Sequence, residues 1–267
     1  MVKLDRVFFA LGLIGLGVLS LIYGDFALQW QPVPAWFPAR TFLAYASGAV
    51  MVIGGAGLLS RRTATLSSAI LLVYLLLWLL LLKLPHVVMA PLLEFNWLGF
   101  GEIAVIVAGG WVLFAADHGQ QESSKLKFAT GESGMRIARR LFAFALIPIG
   151  LSHFVYAPQT IGFVPVWLPF RPAWAYLTGF GHIAAGLGVL FGVVPRLAAT
   201  LEAGMIGVFT ALVWVPLVVK TPMSQLPWTG LLVSWTIGAA AWVVAGNLAT
   251  TQPSSTNDGV ARDNSPR

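Results

Sequence analysis

The chain has 267 residues, of which 58% are apolar and only 10% are charged, and its mean hydropathy is +0.82. A soluble domain usually carries about 25% charged residues, so this composition predicts an integral membrane protein. The net charge of +6 does not indicate nucleic-acid binding, because the basic residues lie in short clusters between long apolar runs. The absence of cysteine excludes disulfides, thiolate nucleophiles, iron–sulfur clusters and cysteine-ligated zinc.

Eight apolar segments are each long enough to cross about 30 Å of hydrocarbon as a helix. In chain order they are predicted at 7–24, 41–59, 66–84, 97–116, 140–157, 173–192, 197–219 and 228–248. The first is predicted to be retained rather than cleaved, since no small-x-small site follows it and a similar segment recurs at 141–156. The predicted fold class is all-α: a polytopic membrane protein with eight transmembrane helices.

The lysines and arginines predict the orientation of the spans. If the N-terminus lies inside, twelve of the sixteen basic residues fall on the inner side, and only Arg40, Lys83, Arg171 and Lys220 fall on the other. Positive residues concentrate in cytoplasmic loops, so both termini are predicted to be cytoplasmic. The predicted regions are a first four-helix repeat at 1–116, a cytoplasmic linker at 117–138, a second repeat at 139–248 and a disordered cytoplasmic tail at 249–267.

The two halves share a loop sequence. Residues 33–45 read VPAWFPARTFLAY, and 131 positions later residues 164–176 read VPVWLPFRPAWAY. Glycines and tryptophans of the second and fourth spans also recur 131 apart, and the sequences Lys-Leu-Pro at 83–85 and Lys-Thr-Pro at 220–222 are matched with a six-residue slip that closes in a shorter third loop. Four spans per half give both halves the same orientation, as in a parallel repeat.

The remaining apolar spans carry packing signals. Gly48 and Gly55, seven residues apart, lie on one helix face and are predicted to let a neighbouring helix approach closely. The third span, ILLVYLLLWLLLL, is apolar on every side, which predicts a lipid-facing helix in which Tyr74 and Trp78 only add bulk.

The opening RVFFALGLIGLGVLSLIYGDF, followed by VPxWxPxR and a glycine-rich span within a four-helix unit, resembles the DoxX-like membrane proteins. The resemblance covers 6–116 and 139–248, which implies a tandem of two DoxX/DoxD-like units. The family includes the small DoxD-type subunit of thiosulfate:quinone oxidoreductase, so the resemblance implies a role accessory to a quinone-linked redox system, with quinone as a ligand and a redox partner subunit. The second half departs from the pattern where Tyr23-Gly24-Asp25 is answered by Tyr156-Ala157-Pro158.

The shared loop has two interpretations. Arg40 and Arg171 each stand at the start of a span, where a cation is unfavourable beside the helix dipole and needs a partner: lipid phosphate, an acidic residue such as Asp25 or Glu94, or an anionic ligand. In one interpretation the loop folds over the end of the bundle and is structural. In the other, the two arginines and the tyrosines five residues later form the polar end of a ligand pocket. Those tyrosines are Tyr45 and Tyr176.

Four ionisable residues lie within the spans: Glu102, His153, His182 and Glu202. Such residues usually face the interior of a bundle. Glu102 and His153 share a predicted depth and are candidates for a proton-carrying pair in an outer-facing cavity, with His182 near the midplane. The alternative is that His153 bonds a backbone carbonyl, Glu102 reaches the interface and Glu202 reaches toward Arg196. A haem is not expected, because the two histidines are about 7 Å apart in predicted depth.

No motif in the sequence indicates hydrolytic, nucleotide or metal chemistry, and no catalytic residue is assigned. The leading hypothesis is an accessory membrane protein that binds a small lipophilic ligand, with membrane lipids and a redox subunit as partners. The alternatives are a proton-coupled small-molecule transporter and an assembly factor without a ligand.

Overall fold

The computed structural model describes residues 2–119 and 127–248. The predicted tail, 249–267, and the middle of the predicted linker, 120–126, lie outside them. The described residues contain no strand, and their long helices are α1 (Leu4–Tyr23), α2 (Arg40–Leu58), α3 (Ala64–Met89), α4 (Glu94–Asp117), α5 (Gly131–Val155), α6 (Arg171–Phe191), α7 (Pro195–Lys220) and α8 (Gln225–Leu248). All eight are long and apolar enough to cross a membrane, as predicted. A short helix, Ala157–Phe163, follows α5.

Two helix boundaries differ from the prediction for physical reasons. The third span was predicted to end before Pro85, but α3 continues to Met89 because a π-helical turn at Trp78–Lys83 precedes the proline. A wider turn accommodates a residue that has no N–H to donate and whose ring crowds the preceding turn. The fifth span was predicted to begin at 140, but α5 begins at Gly131, within the predicted linker. There Glu132 pairs with Arg139 at 3.2 Å, which supports the polar first turns.

The predicted six-residue slip between the two halves is wrong. α3 and α7 both have 26 residues, and the connections that follow them, 90–93 and 221–224, are equal in length. Trp97 Nε1 donates to the carbonyl of Pro91, and Trp228 Nε1 donates to the carbonyl of Pro222, both at 2.8 Å. Pro222 therefore corresponds to Pro91, 131 positions earlier, and not to Pro85.

The same register makes Lys83 correspond to Trp214. Gly99 on α4 faces the ammonium group of Lys83, and Gly230 on α8 faces the ring of Trp214. The shared Lys-x-Pro sequence was misleading because it compares an interior position of α3 with the last residue of α7.

The eight helices form a closed ring with one contact across its centre. Each helix packs against the next in the chain, α8 returns to pack against α1, and α4 packs against α8 through the middle. α4 and α8 are buried on most sides, which is expected of helices that are apolar all round. The connections 24–39 and 156–170 lie at one end of the ring, called the proline-loop end below.

Helix pairs approach closely where glycines face each other. A Cβ atom built on Gly48 of α2 would lie 2.8 Å from the carbonyl oxygen of Gly17 on α1. The corresponding pair in the second half is Gly150 on α5 and Gly179 on α6, where a Cβ on Gly179 would lie 2.7 Å from Cβ of His153. Glycine is therefore required at these positions by the neighbouring helix, as the spacing predicted.

We expect Gly48→Ala and Gly179→Ala to lower the thermal midpoint of unfolding in detergent, because overpacking a tight helix contact costs about 1–3 kcal/mol. Gly204→Ala and Gly207→Ala are matched controls on α7, where a new Cβ meets no atom within 4 Å. These controls should unfold at the same temperature as the parent or slightly higher, since alanine favours a helix. Equal destabilisation of all four variants would show that close approach is not the cause.

Candidate functional site

A cavity of about 360 Å³ lies between α4 and the helices of the second half, and it reaches inward from the proline-loop end. Its wall is mainly apolar and comes from α4, α5, α6, α7, α8, the short helix and the connection after α1. The apolar wall residues include Phe95, Leu98, Ile149, Phe163, Met205, Ile206, Phe209, Trp214, Val233 and Ile237. Three of the predicted site residues, Glu102, His153 and His182, border this one cavity.

His182 on α6 and Glu202 on α7 form a buried pair. Nδ1 of His182 lies 2.8 Å from Oε1 of Glu202, and the Glu202 side chain is fully buried. Among the described residues, none forms a hydrogen bond with the second carboxylate oxygen, Oε2. An ionised carboxylate only accepts hydrogen bonds, so it requires the proton of His182 on Nδ1 and leaves a lone pair on Nε2.

His153 on α5 lies beside this pair, with its ring centroid 5.2 Å from that of His182. Its Nδ1 lies 3.1 Å from the carbonyl oxygen of Ala175 and 3.0 Å from the hydroxyl of Thr178. Nδ1 either carries the proton and donates to the Ala175 carbonyl, or lacks it and accepts from the Thr178 hydroxyl. In both cases Nε2 has no hydrogen-bond partner in the described part of the chain. Two imidazole rings therefore border the cavity, each anchored through its Nδ1 atom.

Glu102 is held in another part of the wall. Trp30, in the connection after α1, donates its indole N–H to Oε2 of Glu102 at 2.9 Å. Lys83 lies within range of Coulomb attraction to Glu102, and its ammonium group donates to the carbonyl of Gln29 at 2.9 Å. The carboxylate of Glu102 is thus positioned by residues of the first half although it borders a cavity of the second half.

The structure agrees with some of the predicted contacts of Glu102, His153 and Glu202 and not with others. Glu102 and His153 border one cavity, but the hydrogen bond of Glu102 is with Trp30 and not with His153. His153 does lie against a backbone carbonyl, as one alternative predicted. The prediction that Glu202 reaches toward Arg196 is wrong, because helix rotation turns Glu202 toward α6 and His182.

The predicted depth difference between the two histidines was too large. Their ring centroids are only 5.2 Å apart, because side chains on neighbouring helices lean toward each other in a way that a count of rise per residue ignores. Within residues 2–119 and 127–248, no group of three or more histidine, aspartate and glutamate side chains is placed to hold a metal ion.

Arg40 lies outside the cavity and is bound within its own loop. Its guanidinium group forms an ion pair with Asp25, one of the predicted partners, and lies 5.5 Å from the ring centroid of Phe26. Its Nε also donates to the carbonyl of Val33 at 3.4 Å.

Arg171 has an equivalent position with different partners. Nε donates to the carbonyl of Val164 at 2.8 Å, the counterpart of the Val33 contact of Arg40. Its Nη2 donates to the carbonyls of Ile161 and Gly162 at the end of the short helix, at 2.7 and 3.3 Å. Carbonyls at a helix C-terminus favour a cation, so they take the place of a carboxylate here.

Tyr45 and Tyr176, the other two predicted site residues, do not border the cavity. Both are partly exposed, and Tyr176 stacks on Phe154 with ring centroids 5.7 Å apart. The proline-loop arginines and tyrosines therefore surround the helix ends, while the cavity is built from Glu102 and the two histidines.

The corresponding space in the first half is occupied by side chains. Gln31 donates its amide N–H to the hydroxyl of Tyr74 at 2.7 Å, and that hydroxyl lies 2.6 Å from the hydroxyl of Ser47. Trp78 donates its indole N–H to the carbonyl of Trp30 at 2.6 Å. The prediction that Tyr74 and Trp78 only add bulk on a lipid-facing helix is wrong, because their polar ends are bonded inside the ring.

The sequence reasoning also missed the roles of Trp30, Tyr156 and Thr178 at the cavity. Tyr156 accepts a hydrogen bond from the backbone N–H of Phe95 at 3.1 Å and so joins α5 to α4. The only sequence signal was the match of Tyr156 with Tyr23, whose hydroxyl donates to the carbonyl of Met223 at 3.2 Å.

Comparison of the chain with protein-family models, with curated proteins and with solved structures finds no match.

We expect the ion pair between Arg40 and Asp25 to stabilise the loop rather than bind a ligand. Arg40→Leu and Asp25→Leu should each lower the thermal midpoint, and the double variant should unfold at about the temperature of the single variants, since both remove the same interaction. Arg171→Leu should also lower the midpoint, although no carboxylate is among its partners. Additive effects of Arg40→Leu and Asp25→Leu would show that the two residues act independently.

Proposed function

We propose that the protein is a multi-pass integral membrane protein made of two parallel four-helix units, α1–α4 and α5–α8, with both termini cytoplasmic. Eight helices of sufficient length and hydropathy support this proposal. The contacts of α1 with α2, of α2 with α3 and of α4 with α5 each have a counterpart four helices later, where α8 takes the role of α4 and contacts α1. The excess of basic residues on one side supports the orientation.

We infer that the chain is of the DoxX-like type and resides in the plasma membrane of a bacterium. The resemblance of its two VPxWxPxR loops to that family supports this. Each loop ends in a residue with a left-handed backbone, Ala39 or Phe170, immediately before the helix that begins with the arginine of the VPxWxPxR motif. In this interpretation the duplicated loop is a structural signature of the unit.

The function that the cavity supports best is binding of a small lipophilic molecule that has a polar end. The convergence of Glu102, His153 and His182 on one mainly apolar cavity carries this proposal. A volume of about 360 Å³ falls in the range of ligand pockets, which usually combine an apolar wall with a few polar groups. Ionisable side chains inside a membrane helix are costly and are usually retained for function.

The family resemblance makes a quinone the first ligand to test. A quinone-type molecule has an apolar tail and a polar ring end, which matches an apolar wall that carries a few polar groups. The role that follows is accessory to a quinone-linked redox system, with the electron-transferring chemistry carried by a partner subunit. No catalytic group is assigned to this chain.

The absence of cysteine allows the topology to be tested with single introduced cysteines. Trp36→Cys and Val166→Cys lie in the two proline loops, and Ser60→Cys and Val193→Cys follow α2 and α6 at the other end; all four positions are exposed. A membrane-impermeant maleimide should label the first two in intact cells and the other two only after the cells are permeabilised. Labelling of Trp36→Cys and Val166→Cys from opposite sides would contradict the parallel arrangement.

Ligand binding can be tested by thermal protection. We expect decylubiquinone to raise the thermal midpoint of the purified protein. At 100 times its dissociation constant, a ligand that binds only the folded state increases the free energy of unfolding by about 2.7 kcal/mol. Val233→Phe, which fills the cavity wall, should remove this protection.

The matched control is Val208→Phe, the same substitution on an exposed face of α7, and it should keep the protection. Mass spectrometry of molecules retained after gentle detergent extraction tests the same site without choosing a ligand. Protection that survives Val233→Phe unchanged would place the ligand elsewhere, and the absence of any retained or protecting lipophilic molecule would contradict the proposed function.

A further inference from the structure

The buried pair of His182 and Glu202 lacks a second donor. Glu202 Oε1 lies 2.8 Å from Nδ1 of His182, while Oε2 is buried and has no hydrogen-bond partner among the described residues. The only ion pair that the described residues give Glu202 is the one with His182. A buried carboxylate with one bonded oxygen is poorly stabilised, since buried charges normally need both a counter-charge and full hydrogen bonding.

Gaining a proton makes the pair of His182 and Glu202 neutral overall, which removes an uncompensated buried charge. With a neutral imidazole the pair carries one uncompensated negative charge in an apolar surrounding. When Nε2 gains a proton, His182 becomes a cation in contact with the carboxylate, and the pair becomes neutral overall. Nε2 of His182 is therefore the atom of the pair that is free to accept a hydrogen bond or a proton.

The accepting atom has access to the cavity. His182 borders the cavity and Glu202 does not, so the bond to Glu202 holds Nδ1 on the far side of the ring. The other titratable groups at this cavity are His153 from α5, Tyr156 at the end of α5 and Glu102 from α4. A histidine side chain is either neutral or cationic, so His153 cannot replace Glu202 as the negative counter-charge of a protonated His182.

We propose that His182 accepts a proton from the ligand, and that the cavity selects molecules whose polar end is a weakly acidic hydroxyl, such as a phenol or a hydroquinone. This inference rests on the proposed ligand cavity and narrows it to the reduced, hydroxyl-bearing form of a quinone-type ligand. In the step, the O–H bond of the ligand breaks, an N–H bond forms at Nε2, and the ligand oxygen keeps the electron pair and becomes an anion. Glu202 is a positioning residue that fixes Nδ1–H and balances the imidazolium charge.

The test uses a probe whose proton transfer is visible. 4-Nitrophenol carrying a decyl chain absorbs differently as the phenol and as the phenolate, and its methyl ether has no proton to give. At pH 6, the full-length protein in detergent should bind the phenol at least about tenfold more tightly than the ether, and the bound phenol should show the phenolate spectrum. Glu202→Gln keeps an oxygen that accepts from Nδ1 but removes the charge, so it should bind the ether normally and leave the bound phenol protonated.

Glu94→Gln is the matched control, because it removes a carboxylate on α4 that does not border the cavity. This control should still form the phenolate, which a general loss of negative charge would prevent. Normal ether binding by Glu202→Gln shows that the variant is folded, so a lost phenolate signal is then a loss of proton transfer.

Three results would overturn the inference while leaving the proposed function intact. They are a bound phenol that shows no phenolate spectrum, phenolate formation that persists in Glu202→Gln, and phenolate formation that is lost equally in Glu94→Gln. Failure of the phenol, the ether and decylubiquinone to bind would overturn the ligand cavity itself, and with it this inference.

Discussion

The contact between α4 and α8 at the centre of the ring determines where polar chemistry can occur. Residues 103–108 of α4 have no exposed surface, and Gly109 faces Ala240 of α8 closely enough that a side chain there would clash. Two helices buried in this way cannot carry charges along their shared face without leaving them unpaired. Glu102 lies at the edge of that buried run and borders the cavity, so a residue of the first half contributes to a cavity lined mainly by the second.

The helices α3 and α7, and likewise α4 and α8, span positions 131 apart but differ in their side chains. At positions 131 apart, Tyr74 is answered by Met205 and Trp78 by Phe209, and both first-half side chains are the larger and have hydrogen-bonding ends. Met51 is answered by His182. In the first half the larger side chains occupy the interior and bond to Gln31 and Trp30, whereas the smaller ones in the second half leave about 360 Å³ bordered by imidazoles. The cavity therefore lies where the second half has these smaller side chains.

Hydropathy predicted the eight helices because the length of an apolar run is a direct signal, and glycine spacing predicted the close contacts. The end of α3 was missed because a π-helical turn lets a helix pass Pro85, which sequence rules treat as a stop. The identity of the site residues followed from the cost of ionisable groups in apolar runs. The sequence did not predict which of these residues contact each other. Glu202 contacts His182 rather than Arg196 because of the rotation of α7 about its axis, which no local pattern specifies.

The two proline loops show how one structural requirement is met by different chemistry. An arginine at a helix start must be compensated, and Asp25 does this for Arg40. In the second half the aspartate is replaced by Pro158, which lies in the first turn of the short helix Ala157–Phe163. The carbonyls of Ile161 and Gly162 near the end of that helix accept hydrogen bonds from the guanidinium group of Arg171. The missing aspartate is therefore replaced by helix carbonyls, which bind Arg171 as Asp25 binds Arg40. The repeated residues lie at the helix ends, and the ionisable residues that border the cavity are ones that the two halves do not share.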